Sequence, residues 1–373
     1  SLTGVSATLF DGAVQATGEA SLAATGQTLG AFEARHDLGA AAGSGRFTVN
    51  DLRFGDGLQP LQLTEFARGA IISMDGTVSG TVDAAWTAEG LTATGESRYA
   101  IDRIALPAVP DIREVRGSDV FDDLLAFSTP AGQTVQVGVV NPGVALEDGT
   151  VRYQLLPGGR IAVEAAQWDF ASGVLTLDPT VITLGQGRSM LMLRLSAVDA
   201  GAAVRALQIK DLIIEGEVEG VFPVLLSPSA AVITDGVLQA TAPGRLAYIG
   251  PAGEGMGGLA QIAFDALRDF RYQSLRATLN GDLAGDIDVD VQMEGLHTGE
   301  DLDLSEIIPL PGTRATADDV PFQFDISVHA PFRELVNTGA GINDARRYLP
   351  RAIEEATEPE AEPSLDPPGP TPP

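Results

Sequence analysis

The sequence predicts a mostly β protein: a long meander of antiparallel strands with few helices. Three observations predict it. Apolar residues recur with period two in run after run. Asp-Gly and Asn-Gly pairs, which favour the positive φ angles of tight hairpins, punctuate the chain. Helical spacing is confined to a few short stretches.

The strands follow in order. "GRFTVND" alternates through Phe47 and Val49, and "TVQVGVV" through Val135, Val137 and Val139. "LMLRLS" places Leu191, Leu193 and Leu195 on one side. The clearest run is "GDIDVDVQMEG": Ile287, Val289, Val291 and Met293 alternate with Asp286, Asp288, Asp290, Gln292 and Glu294. Residues of one parity share one face of a strand, so this strand has one apolar and one acidic face. "FQFDISVH" repeats the pattern through Phe322, Phe324, Ile326 and Val328. Tight turns are expected at Asp11-Gly12, Asp75-Gly76, Asp148-Gly149, Asp235-Gly236 and Asn280-Gly281, each followed by another β-like run.

Helices are expected at three places before residue 330. "DAGAAVRALQI" is one, with Asp199 as N-cap. "SDVFDDLLAF" is a second, and "GLAQIAFDALRDF" (Leu259–Phe270) the strongest. The expected organisation is an elongated β unit over residues 1–330, then an amphipathic helical segment over 331–350. An acidic, Pro-rich tail over 351–373 cannot bury enough apolar surface to fold.

Composition excludes several functions. Of 373 residues, 51 are acidic and 23 basic, a net charge of −28, which argues against nucleic acid as a partner because phosphate binding needs clustered Lys and Arg. The absence of cysteine removes disulfides, thiolate metal sites and cysteine nucleophiles. No apolar run is long enough to span a bilayer as a helix. The chain opens at "SLTGVSATLFDG", without Met or a signal-peptide core, as a piece of a longer protein would.

Candidate chemistry is sparse. Gly253, Gly255 and Gly258 fit G-x-G-x-x-G, but the helix-like run after them leads into a hairpin, not a parallel crossover strand. A hinge ahead of a packed helix is expected, and no cofactor. Asp286, Asp288 and Asp290 stand in a row on a flat face, unlike a calcium loop. His36, His297 and His329 lie far apart, and no G-x-S-x-G elbow occurs. Neither a metal site nor an enzyme is expected.

What covers the apolar face stays open at this point. A second sheet, closure into a barrel, or a trough that meets something other than protein would each serve. An extracellular adhesin-like β-solenoid is a rival reading, weakened by irregular spacing and only five asparagines. A β-sandwich binding protein is another.

From Gly159 onward the sequence resembles the C-terminal part of the YdbH-like proteins, relatives of the AsmA and TamB envelope proteins. The most specific piece is A-L-x-x-F-x-Y-x-x-L followed by L-x-G-x-x-x-G, on Ala266, Leu267, Phe270, Tyr272, Leu275, Leu279, Gly281 and Gly285. The Gly-x-Phe-Pro-Val turn at Gly220–Val224 is a second anchor. Residues 1–158 share the style without a defensible motif, and Gly295-Leu296-His297-Thr298 departs from the family's turn.

The resemblance implies a fold and a task. The sheet would be long, twisted and largely antiparallel, curled into an open apolar groove that crosses the periplasm. The groove would carry phospholipids between the membranes, without catalytic residues. The inner membrane would be held through an upstream anchor absent from this chain, and a small outer-membrane lipoprotein would dock near the C-terminal end. The expected groove lining is Leu191, Leu193 and Leu195; Leu275 and Leu279; Ile287, Val289, Val291 and Met293; and Phe322, Phe324, Ile326 and Val328.

Overall fold

A computed structural model describes residues 1–298 and 321–331, apart from residues 24, 65, 66, 69, 108, 110, 142–144, 185–186, 228–229 and 251–258. Among the described residues the chain is one sheet of 20 strands with two short α-helices and a single 3-10 turn. The first ten strands are β1 (Leu2–Phe10), β2 (Ala13–Ser21), β3 (Thr28–Asp37), β4 (Ala42–Phe54), β5 (Ser73–Thr87), β6 (Gly90–Ala105), β7 (Ile112–Phe121), β8 (Gln133–Val140), β9 (Leu146–Leu156) and β10 (Arg160–Phe170). Each pairs antiparallel with the next.

The second half is less regular. It contains β11 (Gly173–Leu177), β12 (Thr180–Thr183), β13 (Ser189–Asp199), α1 (Ala200–Ala206), β14 (Leu212–Glu215), β15 (Glu217–Leu226), β16 (Ala231–Ala240) and β17 (Gly244–Tyr248). It ends with α2 (Leu259–Leu267), β18 (Phe270–Asp282), β19 (Asp286–His297) and β20 (Pro321–Pro331). Short strands share rows here: β11 and β12 both pair with β10, and β16 and β17 both pair with β18. β14 pairs with β17 beside the pairing of β15 with β16. The path from β1 to β20 therefore makes sixteen antiparallel steps, roughly 75 Å at the usual strand spacing. Among the described residues β1 pairs only with β2 and β20 only with β19, so the sheet is open.

Four of the five expected turn pairs are not turns. Asp11-Gly12 is a hairpin turn, with φ of 48° and 73°. Asp75-Gly76, Asp148-Gly149, Asp235-Gly236 and Asn280-Gly281 instead lie inside β5, β9, β16 and β18. At the first three, pairing registers shift by a bulge. The physical reason is that left-handed propensity serves a bulge as well as a hairpin. Further positive-φ residues mark breaks in the regular pairing at Asp51 in β4, Glu114 in β7 and Ala197 in β13.

Across β5–β9 these features line up. Asp75 and Gly76, Glu114 and Asp148 fall close to one margin of the sheet. A bulge bends its strand and raises its twist, so a row of them bends the sheet as a whole. The same margin carries the long connections: residues 55–72, α1 and α2. The opposite margin has tight hairpins, with one longer loop among the described residues, 122–132.

That loop corrects another expectation. "SDVFDDLLAF" is not a helix; its first four residues end β7. Asp123 then turns the chain by accepting hydrogen bonds from the backbone N–H groups of Leu125 (2.9 Å) and Ala126 (3.0 Å), a local bond that competes with helix formation. The α1 expectation holds: Asp199 Oδ1 accepts from the backbone N–H of Ala202 at 2.5 Å. α2 stops at Leu267, and Phe270 already belongs to β18. The glycines of residues 253–258 and the helical segment and tail after residue 331 lie outside the described residues.

Candidate functional site

Parity carries through the whole sheet. In β19, Ile287 and Met293 are 1% and 2% exposed while Asp286, Asp288, Asp290, Gln292 and Glu294 are exposed. In β8, Val137 is buried and Val135 half-buried, while Thr134 and Gln136 are exposed. The low exposure of the apolar face along the middle of the sheet comes from side chains of neighbouring strands packing against one another.

The thirteen expected lining residues all lie on this one face, in two environments. Leu275, Met293, Phe322 and Phe324 pack with Ile262, Phe264 and Leu267 of α2, and Phe324 is fully buried. Phe270 meets Phe324 edge-on at 5.1 Å between centroids. These four are roofed by protein. Val291 and Ile326 border that cluster and are half-buried.

The remaining residues lie clear of α2. Leu191 and Leu193 sit between the Val163–Leu177 cluster and the Val224–Ile233 cluster, touching both. Leu279 and Val289 flank Ile287 in the latter. Leu195 packs with Val198 and Val218, and Val328 is half-buried opposite Val289.

Sequence reasoning missed two features of the face. The first is a set of glycines roofed by aromatic rings. A side chain on Gly18 would meet Phe32 at 2.8 Å, one on Gly43 would meet Trp86 at 2.5 Å, and one on Gly117 would meet the Tyr99 hydroxyl at 2.5 Å. Gly149 lies beneath Trp168 in the same way. Each glycine lets a ring lie across the sheet instead of standing up from it, which keeps the lining thin.

The second is a polar cluster on the apolar parity. Asp119, 7% exposed, shares a face of β7 with Val115, Gly117 and Phe121. Tyr153 donates its hydroxyl proton to Asp119 Oδ1 at 2.5 Å, and Tyr99 lies 3.0 Å from Tyr153, hydroxyl to hydroxyl. Burial pushes the Asp119 carboxyl up, partly offset by the Tyr153 hydrogen bond. Burial likewise pushes Tyr99 up to about 12 and raises Tyr153. A signal for this was available: an aspartate at an apolar-parity position.

The histidines serve the fold. Trp86 Nε1 donates to His36 at 3.1 Å, His297 is buried against the carbonyl of Ala266, and His329 pairs with Asp288 at 2.6 Å. Among the described residues no group of three or more His, Asp or Glu could hold a metal ion.

The geometry is a long apolar face with few polar groups and an acidic reverse side. No curated protein and no solved structure matches the chain. A family model described as YdbH-like, intermembrane phospholipid transport protein YdbH, matches residues 1–343. The match includes residues 1–158, where sequence motifs had given out. The chain belongs to the YdbH-like family of intermembrane phospholipid transport proteins.

Proposed function

We propose that the apolar face is the floor of an open groove carrying phospholipid acyl chains across the periplasm, headgroups outward. The observation that supports this most is the continuity of that face across sixteen strand pairings, with no second layer over most of its length among the described residues. A diacyl lipid has about 30 methylene groups at roughly 0.8 kcal/mol each, so crossing water unshielded costs on the order of 20 kcal/mol. A floor of Val, Leu and Ile removes most of that without fixing the lipid in place. The acidic reverse face keeps the scaffold soluble.

In this reading the half-buried residues outside the α2 cluster touch lipid: Leu191, Leu193, Leu279, Val289 and Val328. Leu275, Met293, Phe322 and Phe324 hold the roof at one margin. Anchoring to the inner membrane through an upstream segment, and docking of a small outer-membrane lipoprotein near the C-terminal end, complete the bridge. β20 pairs only with β19 among the described residues, and such an edge suits strand addition by such a partner.

Photo-crosslinkers at Val289 and Asp288 test the reading, since neighbouring positions face opposite sides. Lipid adducts at Val289 and few at Asp288 are expected. Equal labelling, or gently purified protein from which organic solvent extracts no phospholipid, would sink it.

A further inference from the structure

We propose that Asp119, with Tyr153 and Tyr99, is a binding station for the ammonium group of an amine-bearing phospholipid headgroup. The proposal deepens the lipid-carrier reading and rests on it. Four observations converge.

The carboxylate is nine-tenths buried on the lipid-facing parity, yet only one of its oxygens is used. Oδ1 accepts from Tyr153, and Oδ2 has no partner among the described residues. Tyr153 spends its proton on Asp119, so the Tyr99 hydroxyl is the donor between the two tyrosines. Both phenol protons are thus committed, and the cluster has an acceptor to offer and no donor.

Among the described residues no protein cation compensates this carboxylate. Arg98, Arg116 and Arg152 of β6, β7 and β9 lie on the opposite, exposed parity, and Arg152 is already paired with Glu164 at 2.9 Å. A buried carboxylate without a counter-charge is costly; protonation offsets that cost in the empty site, and a ligand cation offsets it while keeping the group ionised.

The station sits where a headgroup would be. Asp119 is two residues from the end of β7, at the hairpin margin of the sheet. Loop 122–132 clasps this margin: Leu124 N–H donates to the Ala93 carbonyl (2.8 Å), and Thr129 exchanges hydrogen bonds with Leu155 through N–H (3.1 Å) and Oγ1 (2.9 Å). Toward the sheet interior the same face turns apolar at Val115, Val137 and Val151. A lipid with its ammonium at Asp119 would lay its chains along those valines.

The site also discriminates by charge. An ammonium N–H can donate to Oδ2 and lie near two phenol rings. A purely anionic headgroup would meet the Asp119 carboxylate, and neither phenol proton is free to receive it.

The test uses the purified chain incubated with vesicles of equimolar phosphatidylethanolamine and phosphatidylglycerol, re-isolated, with bound headgroups counted by mass spectrometry. The expected enrichment of the amine lipid is on the order of tenfold, the worth of one charge-assisted hydrogen bond. Asp119→Asn keeps an oxygen for Tyr153 and should bring the ratio close to that of the vesicles, with total lipid unchanged and the melting temperature held or raised. Val120→Ala, on the opposite, exposed face of β7, should keep both the preference and the total lipid. No enrichment in the natural chain, enrichment that survives Asp119→Asn, or an equal loss in Val120→Ala would each overturn the station while normal total lipid leaves the carrier reading standing. Absence of lipid from every protein overturns both.

Discussion

Gly117 shows what a single position contributes to this sheet. Its missing side chain is the space through which Tyr99 reaches Tyr153, two strands beyond Gly117. Gly117→Leu should displace the Tyr99 ring and cost about 1–3 kcal/mol in urea unfolding, the range for overpacking. His329 gives a residue-scale prediction in pH. Its pKa is raised above the ordinary histidine value by the hydrogen bond and charge of Asp288. Stability from the pair is fully present below the unfolded value near 6.5 and is lost as pH rises through the folded value. An NMR titration should place the His329 midpoint above 6.5, and Asp288→Asn should lower it; an unchanged midpoint would mean the pair is not populated. Asp119 has the same sign, being raised by burial: ionisation is the disfavoured state, so Asp119→Asn should hold or raise the melting temperature at neutral pH.

At the scale of the element, the bulges do the shaping. Asp235 sits in β16 with φ of 52°, and its backbone N–H donates to Asn280 Oδ1 at 2.6 Å, so its own side chain is dispensable. Asp235→Gly should be neutral within a few tenths of a kcal/mol, whereas Asp235→Val should cost about 1–2 kcal/mol, because a β-branched residue resists the left-handed region. Equal effects in denaturant unfolding would show that the bulge is not held in that conformation. The local sequence announced these positions but not their use. Asp-Gly at 11–12 and at 148–149 read alike, and only the strands on either side decide between a reversal and a kink. The same holds for "SDVFDDLLAF", where helical spacing lost to a strand already paired on both sides with β6 and β8.

At the scale of the whole molecule, one apolar face has to be covered by something. Protein covers part of it through α2 and the loop of residues 55–72, where Leu58 is 1% exposed. Lipid covers the rest in the reading proposed above. Stripping lipid with a mild organic wash should therefore drive self-association, seen as a concentration-dependent rise in sedimentation coefficient that added phospholipid reverses. A monodisperse stripped protein would mean that the face satisfies itself.

The sequence by itself determined the strand content, the parity of the apolar face and the acidity of its reverse, because these follow from period two and composition, which are local properties. It placed Asp199 at a helix start and all thirteen lining candidates on one face for the same reason. Only the tertiary structure decided which Asp-Gly pairs bend strands, which lining residues lie under α2, and that Asp119, Tyr99 and Tyr153 meet. Those outcomes depend on which strands become neighbours. Tyr99 and Tyr153 are 54 residues apart, and their hydrogen bond exists only because β6 to β9 stack in register with a glycine between them.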